Sequence, residues 1–227
     1  MPPGMNALRE GDMYRNNYEY RNAISSYRQA ISEDSTLTNA YLGIGYCQIE
    51  LQDFGDAEKT FELLLSRQPG NENALYRLGQ LNLHRENYKQ AVDYFHKALS
   101  VNPNYADSHY QLGLTHGRMK EYKTAIEEFR AAIEIDQRHV DSWYNMGNIY
   151  TRLKQRDKAL EAYARVLKID PDHMMALYMS GDCYYSMGKY EQAVQMFERT
   201  LEVNYGFTAA HTSLKKSREK LNASKGS

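Results

Sequence analysis

One stretch of the chain decides its fold: residues 140–173, which read VDSWYNMGNIYTRLKQRDKALEAYARVLKIDPDH. Its first half places packing residues at the spacing i, i+3, i+4 and i+7, namely Trp143, Met146, Gly147 and Tyr150. Its second half places them at i, i+4 and i+7, namely Ala159, Tyr163 and Val166. Such spacing is typical of amphipathic helices, and Pro171 ends the second one. Because only a short turn separates the two helices, the stretch predicts an antiparallel helical hairpin.

The same pattern recurs every 34 residues. The equivalents of Gly147 are all glycine: Gly11, Gly45, Gly79, Gly113 and Gly181. The equivalents of Ala159 are all alanine: Ala23, Ala57, Ala91, Ala125 and Ala193. The equivalents of Tyr163 are all aromatic: Tyr27, Phe61, Phe95, Phe129 and Phe197. Since small residues let two helices approach and a large ring fills the space beside them, this register predicts a stack of similar hairpins.

The pattern W-x2-L-G-x2-Y, followed by A-x3-F and P, resembles the tetratricopeptide repeat (TPR). The resemblance implies an all-α fold, a TPR solenoid in which antiparallel helix pairs form a right-handed superhelix. Six repeats are predicted, at residues 4–37, 38–71, 72–105, 106–139, 140–173 and 174–207. A solvating C-terminal helix over 208–222 and a disordered tail over 223–227 are predicted to follow them. Because each repeat packs only on its neighbours, the expected domain count is one.

Composition narrows the range of functions. Charged residues make up 25% of the 227 residues and the formal net charge is −1, so the basic surplus of a nucleic-acid binder is missing and no nucleic-acid partner is expected. No apolar run approaches the roughly 20 residues that span a bilayer, so no membrane insertion is expected. Cys47 and Cys183 lie four repeats apart, too far for a disulfide, which fits a reducing compartment and predicts a cytoplasmic location. Removal of an earlier signal peptide stays open.

The sequence contains none of the common catalytic motifs. It contains no GxSxG, HExxH or paired CxxC motif and no strand that a phosphate loop could follow, so no enzymatic activity, cofactor or metal is predicted. His139 and His173 share one phase of neighbouring inter-repeat loops. A weak metal site there is a minor alternative, since no third ligand is in register.

By resemblance to the family, the first-helix phases of Asp141, Tyr144, Asn148 and Thr151 line a concave groove. The predicted partner-binding residues of this groove are Tyr76, Arg77, Tyr110, Gln111, Tyr144, Asn145, Asn148, Met175, Tyr178, Met179, Asp182 and Tyr185. One tyrosine per repeat forms a ladder, and its rings either pack against neighbouring helices or contact a ligand. The methionines and tyrosines of the sixth repeat favour the C-terminal half of the groove. The apolar N-terminal groove residues Leu42, Tyr46 and Ile49 are the alternative.

The resemblance implies a non-catalytic protein–protein interaction scaffold that binds a peptide or helix of a partner in this groove. The lysines of the family's carboxylate clamp are missing at their phases, so the C-terminal tail of a chaperone is not the expected ligand. Two alternatives stay open: a self-assembling homo-oligomeric structural protein, and a TPR regulatory region of a larger enzyme. The partner's identity cannot be inferred from the sequence.

Overall fold

The computed structural model describes residues 2–225, which contain helices and short connections and no strand. The all-α fold expected from the periodicity is therefore confirmed. None of the described helices is long and apolar enough to cross a membrane. The helices are α1 (Met5–Asn16), α2 (Tyr20–Glu33), α3 (Thr38–Glu50), α4 (Phe54–Arg67), α5 (Glu72–His84), α6 (Tyr88–Val101), α7 (Ala106–Arg118), α8 (Tyr122–Ile135), α9 (Val140–Arg152), α10 (Arg156–Ile169), α11 (Met174–Ser186), α12 (Tyr190–Val203) and α13 (Thr208–Lys225).

The chain divides into two compact units, an N-terminal unit up to Thr115 and a C-terminal unit from His116 onward. In the N-terminal unit, α1 packs on α2, α3 on α4 and α5 on α6, and each of these hairpins packs on the next. In the C-terminal unit, α9 pairs with α10 and α11 with α12, and α13 packs on α12. Within each unit, contacts thus join helices that are one or two helices apart in the chain. The expected count of one domain stays a prediction.

Within a hairpin, the repeat glycine of the first helix lies directly on the aromatic ring of the second. A Cβ atom added to Gly147 would come within 2.6 Å of Cε1 of Tyr163, and one added to Gly181 within 2.7 Å of Cε1 of Phe197. The rings themselves are at most 1% exposed, and the repeat alanines are fully buried. The small residues thus lie at the helix crossing, as their register predicts, because no larger side chain fits beside the ring.

The turn inside each repeat contains a left-handed residue that the sequence pattern does not reveal. These residues recur every 34 positions and have φ between 59° and 74°: Tyr18, Gln52, Glu86, Lys120, Lys154 and Gly188. In the first repeat the N–H of Tyr18 donates to the carbonyl of Arg15 and the N–H of Glu19 donates to that of Tyr14. This pair of bonds is a Schellman motif, which satisfies the last carbonyls of the first helix. The hydrogen bonds offset the strain of a left-handed backbone at the non-glycine positions.

The loop histidines cap helices. The Nδ1 atom of His139 accepts a hydrogen bond from the N–H of Ser142 at 3.2 Å, and that of His173 accepts one from Ala176 at 3.1 Å. Asn71 caps α5 in the same way through its side-chain oxygen. In each of these imidazoles the Nδ1 lone pair accepts a hydrogen bond from the helix N-terminus. That lone pair is therefore not available to a metal. Among the described residues, no group of three or more His, Cys, Asp or Glu side chains could hold a metal ion.

Helix α13 buries Ala210 and Leu214 at the end of the C-terminal unit. It continues to Lys225, three residues past the end predicted at residue 222. No helix breaker precedes Gly226, and the Ser224 hydroxyl donates to the carbonyl of Leu221 at 2.7 Å, which suits a helix end. Residues 223–225 are therefore helical, whereas the rest of the predicted disordered tail, Gly226 and Ser227, lies outside the described residues.

The contact between glycine and ring predicts an asymmetric response to the same substitution. Gly147→Ala should lower the free energy of unfolding by about 1 to 3 kcal/mol, because the new methyl group overlaps the Tyr163 ring. Gly55→Ala in α4 is the matched control, since a Cβ there meets nothing within 4 Å and alanine forms helix more readily than glycine. Thermal unfolding followed by circular dichroism measures both. Equal melting temperatures for the two variants would contradict the contact.

A second stability prediction concerns two buried serines. The hydroxyls of Ser108 and Ser142 are buried without a hydrogen-bond partner, whereas four of the equivalent positions are fully buried alanines: Ala40, Ala74, Ala176 and Ala210. Ser142→Ala should raise the free energy of unfolding by about 1 kcal/mol, because it removes an unsatisfied polar group without changing the shape of the site. The reverse change, Ala176→Ser, should lower it. A destabilised Ser142→Ala variant in urea titrations would show that the hydroxyl has a partner in solution.

Candidate functional site

The predicted groove residues lie on one side of the first helices, called here the first-helix face. In the N-terminal unit this face includes Tyr76, which is only 8% exposed. Its ring centroid lies 5.9 Å from that of Phe95 and 5.1 Å from that of Tyr105, and its hydroxyl accepts a hydrogen bond from Gln80 at 3.0 Å. The guanidinium of Arg77 lies 5.6 Å from the ring centroid. Tyr76 is thus mainly a packing residue beneath the first-helix face.

The ladder tyrosines of the C-terminal unit pack in the same way. Tyr144 lies 6.1 Å from Tyr163 and 5.2 Å from His173, between ring centroids. Tyr178 lies 5.6 Å from Phe197 and 5.1 Å from Phe207. Each ring therefore contacts the buried ring of its own hairpin and the residue that precedes the next first helix. These contacts are those expected if the rings pack against neighbouring helices. Tyr144 and Tyr178 are only half-buried, so part of each side chain remains exposed.

Some polar groups of the predicted groove are already used inside the protein. The Tyr163 hydroxyl donates to Oδ1 of Asn148 at 2.8 Å, and the Tyr27 hydroxyl donates in the same way to Asp12, which holds the equivalent position. Asn145 donates to the carbonyl of Asp141 at 2.9 Å, and Gln111 donates to the Tyr76 hydroxyl at 3.4 Å. Through these hydrogen bonds the side chains stabilise the first-helix face as well as forming part of its surface. Their remaining donors and acceptors define what they can offer a partner.

The sixth repeat presents a partly exposed apolar cluster. The cluster consists of half-buried residues on the first-helix face of α11, namely Met175, Tyr178, Met179 and Tyr185. Asp182 lies among them and is also half-buried. The Tyr185 ring stands edge-on to that of Tyr190 at 5.5 Å between centroids. Since α13 packs mainly against α12, this cluster keeps part of its surface in solvent. Half-buried methionine and tyrosine form an adaptable contact surface.

The N-terminal unit contains three surface cavities that meet at one residue. They have volumes of about 380, 520 and 600 Å³, and Tyr46 lines all of them. Arg15 lines the first two cavities and Arg77 lines the first and the third. Leu42 and Ile49 supply apolar surface on either side of Tyr46. We call these five residues the Tyr46 surface.

Charge and aromatic contacts hold the Tyr46 surface in place. The Arg15 guanidinium lies 5.9 Å from the Tyr46 ring centroid and pairs with Asp12 at 3.3 Å. Tyr20 contacts Tyr46 edge-on at 6.4 Å between centroids. Burial, then the negative charge of Glu50 and a hydrogen bond to it, raise the pKa of Tyr46. Leu42, Tyr46 and Ile49 are the alternative groove residues expected from the sequence, whereas Arg15 was not expected, because no motif connects α1 to α3.

Neither cysteine is available for nucleophilic chemistry. Cys47 and Cys183 are free thiols, 0% and 2% exposed. Burial raises the pKa of Cys47 to about 11 and also raises that of Cys183. A thiol with a raised pKa contains almost no thiolate at neutral pH, and the thiolate is the reactive form. Both cysteines thus act as small apolar residues between helices.

This architecture defines the class of the protein: a helical repeat protein in which, within each unit, hairpins of two antiparallel helices pack on their neighbours in sequence. Models of the tetratricopeptide repeat match residues 17–81, 72–105, 94–127, 118–154 and 140–204. The chain belongs to the tetratricopeptide repeat family. A search of curated protein sequences finds no match.

Solved structures share the fold. MamA is 26% identical, with a TM-score of 0.67, over 71% of this chain and 95% of MamA. YrrB, described as a TPR protein with an unusual peptide-binding site, is 23% identical, with a TM-score of 0.67, over 83% of this chain and 97% of YrrB. PilF of Pseudomonas aeruginosa is 14% identical, with a TM-score of 0.79, over 96% of this chain and 97% of PilF. The repeats and these relatives support a protein-interaction scaffold.

The buried thiols predict slow chemical labelling. In the native protein at pH 8, both cysteines should react with a disulfide reagent such as DTNB far more slowly than a free thiol, because a pKa raised above the pH leaves little thiolate. Raising the pH toward 11 should increase the rate at Cys47. Unfolding in guanidinium should release both thiols, and absorbance at the reagent's product band counts them. Immediate labelling of the folded chain would contradict their burial.

Proposed function

We propose that the chain captures an extended segment of a partner protein on its first-helix face, without catalysing a reaction, and that the main contacts are made by the Tyr46 surface. The observation that supports this proposal is the meeting of three cavities at Tyr46, which is 36% exposed. Concave surface lined by an aromatic residue, aliphatic residues and a few polar groups is the usual form of a binding site. An exposed aromatic at its centre is the usual anchor of an interface.

The chemistry around Tyr46 suits a peptide backbone. Asn39 and Asn73 line the cavity of about 380 Å³, and both side chains are exposed. Amides can donate to and accept from the main chain of an extended segment, which gives affinity without selecting its sequence. Arg77 adds a cation beside the Asp12–Arg15 pair, so this cavity carries two positive groups and one negative group. A segment with an apolar side chain against Tyr46 and a carboxylate near Arg77 would match it.

The C-terminal unit supplies a second proposed contact region. Met175, Tyr178, Met179 and Tyr185 expose a flexible apolar surface that suits an apolar stretch of a partner. The ladder residue Tyr144 is proposed to contribute its exposed part to this region, and Tyr110 to contribute in the same way in the N-terminal unit. The expectations of self-association, of a cytoplasmic location and of attachment to a larger enzyme stay predictions, and light scattering across a concentration range tests the first of them.

A random dodecapeptide phage library selected on the intact chain provides probes for this site. The recovered peptides should bind the Tyr46→Ala, Arg77→Ala variant at least about tenfold more weakly than the parent, because truncating an anchor residue costs about 2 kcal/mol or more and tenfold corresponds to about 1.4 kcal/mol. Tyr205→Ala is the matched control, since Tyr205 is 79% exposed and lies in a loop of the C-terminal unit. It should leave the affinity unchanged. Fluorescence anisotropy of labelled peptides measures affinity, and circular dichroism confirms that each variant is folded.

Two results would overturn the proposal in different ways. If the peptides bind the Tyr46→Ala, Arg77→Ala variant normally but lose affinity for a Met175→Ser, Met179→Ser variant, the main site lies in the C-terminal unit. If the selection recovers no peptide that binds specifically, capture of an extended segment is wrong.

A further inference from the structure

A pocket of about 650 Å³ lies in the C-terminal unit, away from the residues of the first-helix face. It is formed where the end of α8, the following loop, the first turn of α9 and the last turns of α10 come together. Its lining residues are Ile133, Glu134, Gln137, Arg138, Trp143, Arg165, Lys168 and Ile169. We call it the Trp143 pocket. It plays no part in the function proposed above.

Trp143 forms a fixed wall of this pocket. It is the single tryptophan of the chain and is half-buried. Its indole N–H donates to the carbonyl of Gln137 at 3.2 Å, and the Arg165 guanidinium lies 5.9 Å from its ring centroid. The hydrogen bond and the cation–π contact hold the ring in one orientation. Ile133 and Ile169 add aliphatic surface, so the pocket has an apolar part beside its charged groups.

The charge of the Trp143 pocket departs from the repeat pattern. Arg138, Arg165 and Lys168 give it three positive groups, against the single carboxylate of Glu134. One repeat earlier in sequence, their three equivalents are Asn104, Ala131 and Glu134, with one negative charge. One repeat later they are Asp172, Arg199 and Glu202, with one positive and two negative charges. The repeat fold therefore forms without cations at these positions, and their accumulation here needs another explanation.

The dipole of α10 does not explain the cluster. A cation in the last turn stabilises a helix, and Lys168 occupies that turn of α10. The equivalent turns of α2, α6, α8 and α12 contain no basic residue, so second helices of this protein form without one. Arg138 lies in the loop before α9, where α10 does not require it.

We propose that the Trp143 pocket binds an acidic segment of a partner protein that carries an apolar side chain. The apolar side chain packs beside Ile133, Ile169 and the edge of Trp143, while flanking carboxylates pair with Arg138 and Lys168. Complementary charge attracts such a segment and sets its register. A nucleic acid fits less well, because Arg165 already lies over the indole ring on which a base would stack, and the chain as a whole has a net charge of −1.

The single tryptophan gives a direct readout. The probe is an end-blocked nonapeptide of eight glutamates around a central leucine, which contains no aromatic residue of its own. Titration into the full chain in about 100 mM salt should change the Trp143 emission saturably. The affinity should fall as salt is raised, because ions screen charge pairs at a protein surface. The Arg138→Glu, Lys168→Glu variant should bind at least about tenfold more weakly, since each reversal replaces an attraction with a repulsion.

The matched control is Lys123→Glu, Lys215→Glu, which makes the same change in net charge at two exposed lysines outside the pocket. It should bind within about twofold of the parent, because charges farther away than the Debye length of about 10 Å are screened. An equal loss in both variants would show diffuse attraction and overturn the pocket. Equal affinity for a peptide with serine in place of leucine would contradict the proposed packing of an apolar side chain in the pocket. No emission change, or tighter binding of a twelve-nucleotide single strand than of the peptide, would overturn the proposal.

Discussion

The contact between a glycine of the first helix and an aromatic ring of the second is the constraint on which the rest of the structure depends. A ring that is at most 1% exposed fills the hairpin, and the glycine opposite it lets the two helix backbones close over the ring. This contact fixes the rotation of the first helix about its axis. Which residues of that helix face a neighbour, and which face a partner, follows from the rotation.

The fold was predictable because burial repeats at one period. Gly, Ala and the aromatic recur every 34 residues, so the same two-helix solution must hold in each copy, and a single well-patterned copy identifies the rest. The left-handed turn residues were not predictable, because five of the six are ordinary side chains such as Gln52 and Lys154. Their conformation comes from the Schellman hydrogen bonds of the backbone and leaves little trace in side-chain type. The helix capping by His139 and His173 was missed for a related reason, since histidine is not a usual cap.

The candidate site was predictable only in part. The phase of the first-helix face follows from the helical period, which places residues four apart, such as Tyr144 and Asn148, on one side of α9. Whether a side chain on that face is free depends on its contacts with the next helices, as with Tyr76, which packs between Phe95 and Tyr105. Cavities depend on side chains from three or four helices at once, and a linear pattern does not encode them. Comparison between repeats helps here, because a position that departs from its equivalents without a structural need points to a role of its own.

The restriction of contacts to helices that are close in sequence also bears on how the chain acquires its structure. Within each unit, a helix packs against partners that lie one or two helices away along the chain. Closing such short loops costs little entropy, and chains dominated by local contacts fold quickly for their size. During synthesis, the first hairpins can assemble before the last ones have left the ribosome, since none of their contacts waits for the C-terminus. The glycine and ring that close each hairpin thus belong to a step of folding that each repeat completes with its immediate neighbours.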